Sequence, residues 1–194
     1  MTKIIGLTGG IGSGKTTIAN HFIAAGIPVY IADDEARKIM QSAAIINEIK
    51  NVFGNAIFEK GILNREKLAQ IVFSNPKKLK LLNSIIHPAV KKHFDNWVLD
   101  HKNNSFVIYE AAILFESGSY KNCDKIITVT APLETRIQRV IQRDKTTREQ
   151  VLKRINAQWN DDQRIAKSDF VIENQTPEIT KSEVGKILKI LNIQ

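Results

Sequence analysis

The stretch that decides the fold is residues 4–16, IIGLTGGIGSGKT. A short apolar run ends in glycines, and residues 16–25 then carry apolar side chains at helical spacing before Gly26. This pattern predicts a strand, a loop and a helix, in that order. Residues 9–16 match GxxxxGK[ST], the pattern of a phosphate-binding loop, in the strand-to-helix context that this motif requires.

The residue types of this loop suit an anion. Glycines allow backbone N–H groups to converge on phosphate oxygens, and the following helix adds the positive end of its dipole. Lys15 is expected to reach the β and γ phosphates of ATP, and Thr16 to place its hydroxyl on Mg²⁺, which takes few protein oxygens beside phosphates. The residues expected to bind the nucleotide are Gly10, Ile11, Gly12, Ser13, Gly14, Lys15, Thr16 and Thr17. Side chains at positions 9, 12 or 14 are expected to obstruct the phosphates.

Four further β-type runs follow the first one along the chain. They are Pro28 to Ile31, Phe106 to Tyr109, Ile126 to Thr130 and Phe170 to Ile172. The segments between them are mostly helical, with turn signals that include His87-Pro88. Strands that alternate with helices indicate a parallel sheet covered on both faces. The sequence therefore predicts a three-layer α/β fold around five parallel strands.

Composition limits the class of protein. The chain has 194 residues with 43% hydrophobic content, which favours one domain with insertions. A single cysteine, Cys123, excludes an intramolecular disulfide and a cysteine zinc cluster. The first apolar run is too short for a signal sequence or a membrane span, so a cytoplasmic protein is expected. A net charge of +8 favours polyanionic partners, including phosphate-rich metabolites.

The remaining motifs favour a small-molecule kinase among the proteins that carry this loop. The base-reading and switch motifs of GTPases are absent from the sequence, and the strand expected at 106–109 is followed by a single acid, Glu110. Six of the eight arginines lie in one helical stretch: Arg136, Arg139, Arg143, Arg148, Arg154 and Arg164. Such a stretch is typical of a lid that closes over a nucleotide, excludes water and stabilises the transferred phosphoryl group.

A kinase also needs a carboxylate near the acceptor hydroxyl. Asp33 follows the second predicted strand, and ligands of open parallel sheets bind beyond the carboxyl ends of strands. Asp33 is therefore the candidate base. The alternative is that Asp33 caps a helix or pairs with Arg37 four residues later. For Glu110 two roles stay open, support of a Mg²⁺-bound water or simple termination of a strand.

Several stretches resemble one known family, the dephospho-coenzyme A kinases, nearly from end to end. Residues 6–16 resemble the phosphate loop of that family even at positions that the general pattern leaves free. The other matching stretches are Ala32-Asp33 with Arg37, His87-Pro88, Leu114-Phe115-Glu116, Arg143-Asp144, Thr147-Arg148-Glu149 and residues 154–158. Two positions depart from the family pattern. Ile31 stands where the family often has a first Asp, and Ala112, followed by Ile113, where it usually has Pro. Asp33 is then the single matching acid.

The resemblance implies an enzyme, an ATP-dependent phosphotransferase with an alcohol group as acceptor. It would transfer the γ-phosphate of ATP to the ribose 3′-hydroxyl of dephospho-coenzyme A, with Mg²⁺, as the last step of coenzyme A synthesis. The residues implied in catalysis are Asp33 as base, Lys15, and Arg139 and Arg143 from the lid. The residues implied in the acceptor site are Thr8, Asp33, Arg37 and His87.

The resemblance also implies a layout within one kinase domain. The core would comprise residues 1–32, 88–136 and 166–194, the substrate-binding helical insertion residues 33–87, and the lid residues 137–165. ATP and dephospho-coenzyme A would be the partners, without nucleic acid or membrane, and the sequence leaves monomer and homo-oligomer open.

Alternatives to these roles also remain at this stage. The acceptor could be another nucleoside or nucleotide, and the basic charge could mark a nucleic-acid-dependent ATPase, although no nucleic-acid fold motif supports that. A lid arginine could be a surface ion-pair partner. His87 could be a packed or capping residue at a helix start.

Overall fold

A computed structural model describes residues 1–59 and 61–193. The chain divides into two compact units. We call Met1–Ile31 with His101–Gln194 the sheet unit, and Ala32–Asp100 the helical unit. In chain order the elements are β1 (Lys3–Thr8), α1 (Lys15–Ala24), β2 (Val29–Ile31), α2 (Ala32–Ile39), α3 (Ala43–Phe53), β3 (Phe58–Glu59), β4 (Ile62–Leu63), α4 (Arg65–Phe73), α5 (Pro76–Asp100), β5 (Phe106–Glu110), β6 (Lys125–Thr130), α6 (Leu133–Asp144), α7 (Arg148–Asn156), α8 (Asp161–Ile165), β7 (Phe170–Glu173) and α9 (Pro177–Ile193).

The sheet unit contains the five parallel strands that the sequence predicts, in the order β2-β5-β1-β6-β7. Strand β1 is central, with β5 on one side and β6 on the other. Because all five strands are parallel, their carboxyl ends meet at one edge of the sheet. The loop after β1 therefore leaves from the middle of that edge, where ligands of open parallel sheets bind.

Burial of alternate residues fixes the sheet against its helices. One face of the sheet joins α1 and α9 in a single apolar core, whose members on the central strands include Ile5, Leu7, Ile127 and Val129. On the opposite face, Gly6 is packed beneath Leu114 and Cys123 from the segment that follows β5. The predicted α/β class with both faces covered is confirmed.

The helical unit has a core of its own. Four helices, α2 to α5, and the β3–β4 hairpin surround buried residues that include Ile45, Ile49, Leu68 and Leu82. Asn75 begins α5 as an N-cap, since its side-chain oxygen accepts from the N–H groups of Lys77 and Lys78. This cluster allows the unit to bury apolar surface independently of the parallel sheet.

One sequence expectation is wrong in the helical unit. The turn signal at His87-Pro88 does not end a helix, because α5 continues through Pro88 to Asp100. Pro88 removes one backbone hydrogen bond, but Leu82, Ile86 and Phe94 on the buried side hold the helix on both sides of it. The β3–β4 hairpin was not expected in a stretch with few β-type residues. The compact helical unit ends at Asp100, where α5 ends.

In the part of the chain that the structure describes, no helix has the length and apolarity needed to span a membrane.

We expect truncation of a buried side chain on a central strand to lower the stability of the protein strongly. Ile127 in β6 is 0% exposed, and we expect Ile127→Ala to lower the free energy of unfolding by about 2–5 kcal/mol, because truncation leaves a cavity that the sheet cannot fill. The matched control is Ile190→Ala in α9, where the side chain is 43% exposed, with an expected change below roughly 0.5 kcal/mol. Urea unfolding followed by circular dichroism measures both, and equal changes would contradict this description of the core.

Candidate active site

The phosphate loop joins β1 to α1 and has a backbone that most residues cannot adopt. Gly12 and Gly14 have φ angles of +79° and +94°, and Gly14 is the left-handed N-cap of α1. L-residues with a Cβ are strained there. In the described residues, no protein acceptor takes the backbone N–H groups of Gly12, Gly14 or Thr16. These N–H groups lie at the start of α1, and donors at a helix N-terminus are the groups that anion sites of proteins use.

The glycines also allow the loop to touch other backbone directly. A Cβ on Gly9 would lie 2.3 Å from the carbonyl oxygen of Val129 at the end of β6, and one on Gly12 would lie 2.5 Å from that of Arg136 in α6. From the sequence, side chains at these positions are expected to obstruct the bound phosphates. The structure adds a second reason, because a side chain would first collide with the protein itself.

The other loop residues lie as follows. The Lys15 Nζ donates to the Gly9 carbonyl oxygen at 3.0 Å, so the ammonium lies back along the loop. Thr16 and Thr17 are exposed in the first turn of α1, whereas the Ser13 side chain is fully buried. The backbone N–H of Ile11, expected to face the nucleotide, donates instead to Gln158 Oε1 at 2.9 Å.

Arg139, which belongs to the predicted lid, contacts the phosphate loop. Its Nη1 donates to the carbonyl oxygens of Gly12 and Ser13 at 3.5 and 3.4 Å, and its Nη2 donates to that of Asn174 at 3.2 Å. Asn174 in turn donates from Nδ2 to the Ser13 carbonyl oxygen at 2.8 Å and accepts from the Thr180 hydroxyl. Asn174, which follows β7, was not identified from the sequence.

Arg143, the second predicted lid residue, lies near the end of α6 and is held elsewhere. Its Nε donates to Asp144 at 2.7 Å, and Asp144 also accepts from Arg154 at 2.7 Å. The hydrogen bond to Asp144 raises the pKa of Arg143, and the hydrogen bonds from the two arginines lower the pKa of Asp144. Within the described residues, no hydrogen bond joins Arg143 to the phosphate loop.

Two polar residues occupy the carboxyl edge of the sheet beside the loop. Glu110 ends β5 and is 7% exposed, with Leu7 of β1 and Ile31 of β2 as its register partners. Thr8, predicted to contact the acceptor, ends β1 with a fully buried side chain. In the described part of the chain the Thr8 hydroxyl has no hydrogen-bond partner.

Three predicted acceptor-site residues belong to the helical unit. Asp33 lies in the first turn of α2, exposed, and none of the described groups forms a hydrogen bond or ion pair with it. The alternative of an Asp33–Arg37 pair is wrong, because Arg37 Nη1 contacts Asp34 at 2.6 Å. His87 is exposed in the interior of α5, not at a helix start, and lines a groove with Lys80 and Asn83.

The donor set fits a hard cation shared with phosphates. The described residues contain no group of three or more His, Cys, Asp or Glu that could hold a metal ion without other ligands. The exposed hydroxyl of Thr16 and the edge carboxylate of Glu110 are oxygen donors, as Mg²⁺ prefers, and that ion takes only one or two protein ligands beside substrate phosphates.

Burial raises the pKa of the Cys123 thiol to about 12, which makes this cysteine a poor nucleophile.

Comparison with known proteins identifies the family. The family model described as dephospho-CoA kinase matches residues 3–179. The chain belongs to the dephospho-CoA kinase family. A Fusobacterium nucleatum dephospho-CoA kinase is 43% identical over 174 residues, covering 89% of this chain and 90% of that protein. A Chlorobium luteolum dephospho-CoA kinase is 36% identical and covers 97% of this chain and 90% of its own length. The predicted resemblance is confirmed, and the chain is an ATP-dependent kinase.

Solved structures agree with this kinase family and with its fold. A crystal structure from Thermus thermophilus aligns with a TM-score of 0.90 at 33% identity, over 97% of both chains. A Campylobacter jejuni dephospho-CoA kinase aligns with a TM-score of 0.71 at 29% identity, over 97% of this chain and 96% of that one. An Acinetobacter baumannii shikimate kinase, at 18% identity and a TM-score of 0.53, shares the fold alone.

The loop geometry of this kinase gives a prediction with a matched control. Gly12 and Gly26 have the same φ of +79°, but a Cβ on Gly26 meets nothing within 4 Å. We expect Gly12→Ala to weaken Mg-ADP binding by about tenfold or more, because the loop must move and each charge-assisted hydrogen bond it loses contributes about 1.5–3 kcal/mol. Gly26→Ala should cost about 1 kcal/mol of stability and leave binding intact. Calorimetric titration with ADP and thermal unfolding separate the two effects. Equal binding losses would contradict a clash specific to the loop.

Proposed function

We propose that this kinase transfers the γ-phosphate of ATP to the ribose 3′-hydroxyl of dephospho-coenzyme A, giving ADP and coenzyme A in the last step of coenzyme A synthesis. The observation that carries the proposal is the family match over residues 3–179, which includes the phosphate loop, Asp33 and the lid arginines. The reaction belongs in the cytoplasm on this proposal. The core would comprise residues 1–32, 88–136 and 166–194, the substrate-binding insertion residues 33–87, and the lid residues 137–165.

The donor side of the mechanism depends on the loop. Backbone N–H groups of Gly12, Gly14 and Thr16 are available for phosphate oxygens, and they are fixed before substrate binds because glycine permits the required φ angles. Lys15 leaves the Gly9 carbonyl oxygen and contacts the β and γ phosphates. Its ammonium balances the charge that develops on the transferred group.

The lid supplies further positive charge. Arg139 reaches the loop from α6 through weak hydrogen bonds at 3.4–3.5 Å, long enough to exchange for phosphate oxygens. Arg143 joins it after releasing Asp144, whose second partner, Arg154, then neutralises the carboxylate. Both arginines exclude water from the transferred group when they approach it.

The acceptor side depends on Asp33. An exposed carboxylate without a protein partner can accept the proton of the 3′-hydroxyl as the oxygen attacks the γ phosphorus. Arg37 is four residues further along α2 and supplies positive charge for the acceptor, and the imidazole of His87 supplies a hydrogen bond. Thr8 completes the proposed acceptor set from the end of β1.

Mg²⁺ is the second part of the proposal. When bound, this cation neutralises the negative charge on the β and γ phosphates. Thr16 would hold it through the side-chain hydroxyl, and Glu110 would accept from a water on it. Both oxygens are hard donors, as the chemistry of this ion demands.

The direct test is incubation of the purified kinase with Mg-ATP and dephospho-coenzyme A, followed by mass-resolved chromatography. We expect coenzyme A and ADP in equal amounts. Lys15→Ala should reduce turnover by at least about a hundredfold while the protein stays folded, because the half-buried loop ammonium contributes to phosphate binding and not to the apolar core. Formation of ADP without coenzyme A would contradict the acceptor. Near-normal turnover of Lys15→Ala would contradict the role of the loop.

The role of Asp33 has a matched control one residue away. We expect Asp33→Asn to lower kcat by about 10²–10⁴-fold, the range for loss of a general base, with little change in the Kd of Mg-ADP. Asp34→Asn removes only the exposed pair with Arg37 and should keep kcat within about threefold. Steady-state kinetics and ADP titrations measure both. A parallel fall of ADP affinity and kcat in Asp33→Asn would assign Asp33 a structural or metal-linked role.

A further inference from the structure

Ile11 of the phosphate loop makes three contacts with residues of the segment 136–158. The N–H of Ile11 donates to Gln158 Oε1 at 2.9 Å, and the carbonyl oxygen of Ile11 accepts from Arg136 Nε at 2.9 Å. The Ile11 side chain packs against the apolar cluster of α6 and α7 that includes Ile137 and Val140. Both polar atoms of this peptide position are therefore bonded to side chains more than a hundred residues away in sequence.

Arg136, in the first turn of α6, is fixed more strongly than Arg139 and Arg143 of the same helix. Its side chain is 7% exposed, its Nη1 contacts Asp161 at 2.9 Å, and its Nε is bonded to Ile11. The guanidinium also lies against the loop, since a Cβ on Gly10 would be 2.2 Å from Nη2. A planar fork bonded on two sides is a rigid spacer between the loop and α8.

The opposite end of this spacer is anchored in the protein. Asp161 also accepts from Arg164 Nη1 at 3.3 Å, and Arg164, whose side chain is 0% exposed, donates from Nη2 to Glu116 at 3.3 Å. Glu116 accepts the backbone N–H of Trp159, and the Trp159 ring stacks on Phe115 with centroids 5.4 Å apart. Burial lowers the pKa of Arg164, against the two carboxylates that raise it. The guanidinium groups of Arg136 and Arg164 are thus paired with the carboxylates of Asp161 and Glu116.

We propose that Arg136, Asp161 and Gln158 form a clamp that positions the phosphate loop, which makes them positioning residues for nucleotide binding. The clamp fixes both polar groups of Ile11, so the next residues present their N–H groups in one arrangement to the phosphates. The Arg136 Nε and Nη1 are bonded to protein, so the guanidinium acts on the loop through Ile11 and is held by Asp161. The inference rests on the proposed function only in assuming that the loop binds nucleotide, whatever the acceptor.

The test uses Mg-ADP as the probe, without acceptor, on the full chain. We expect Arg136→Met to weaken ADP binding by about ten- to a hundredfold, the range for loss of a charge-assisted hydrogen bond, and the isosteric Asp161→Asn by about three- to tenfold. The double variant should be little worse than Arg136→Met, because both substitutions break one clamp. The matched control is Lys153→Gln, which breaks the exposed Lys153–Glu149 pair of α7 and should leave binding unchanged.

A second readout separates positioning from general destabilisation. Amide exchange in residues 9–16 should accelerate in both clamp variants, while β5 keeps its protection at a temperature well below melting. In kinetics, KM for ATP should rise with kcat nearly constant, and Arg136→Lys should recover part of the loss.

The outcomes are distinct. Unchanged ADP affinity in Asp161→Asn and Arg136→Met, with normal binding by the unaltered chain, would overturn the clamp and leave the proposed function standing. Absence of ADP binding by the unaltered chain would overturn the proposed function, and the clamp with it. If Arg136→Met does not fold, Asp161→Asn decides alone, because Asn keeps the shape of Asp and removes only its charge.

Discussion

Direct contact between backbones is the constraint on which the rest of the site depends. The phosphate loop touches the last residues of β6 and the first turn of α6 without an intervening side chain, because glycine occupies positions 9 and 12. That contact holds the first turn of α6 against the loop. It also restricts which residues the loop can contain. Position 12 requires a residue that accepts a left-handed backbone, and positions 9 and 12 both require a residue without a Cβ.

The charges around the loop follow from this contact. Once α6 begins against the loop, Arg136 is buried at the junction, and a buried guanidinium requires paired carboxylates and satisfied donors. Asp161 and Glu116 supply the carboxylates, and Arg164 is shared between them. Desolvation cancels much of the energy gained from such pairs, so their contribution lies in fixing one arrangement of loop and lid more than in stabilising the fold.

Much of the fold could be predicted from the sequence, because apolar runs and glycine patterns are local. The five parallel strands and the strand-loop-helix around residues 4–16 are confirmed. Helix α5 was not predicted as one element, since His87-Pro88 is locally a break signal and the packing that overrides it comes from distant residues. Tertiary context also decides the β3–β4 hairpin, whose strands have two residues each.

Only those site residues that belong to a sequence motif could be predicted. Residues 9–16 have a fixed spacing that identifies them, but nothing local distinguishes Arg136 from the other arginines of its helix. Its importance depends on Asp161 and Ile11, which only the fold brings to it. Asn174 and Gln158 were missed for the same reason. A short polar residue after a strand and a glutamine after a helix have many possible roles, and the contact with the loop selects one.

The register of the sheet explains what Ile31, which departs from the family pattern, changes beside Glu110. Ile31, Glu110 and Leu7 are partners across β2, β5 and β1, so their side chains point to the same face, with neighbouring strands roughly 5 Å apart. An Asp at position 31 would put two carboxylates side by side at the edge of the sheet, where like charges oppose each other's ionisation. Ile31 removes that repulsion and leaves Glu110 between two apolar neighbours. The chain therefore has one carboxylate, Glu110, at the end of β5 in the sheet, and the other, Asp33, on the first turn of α2.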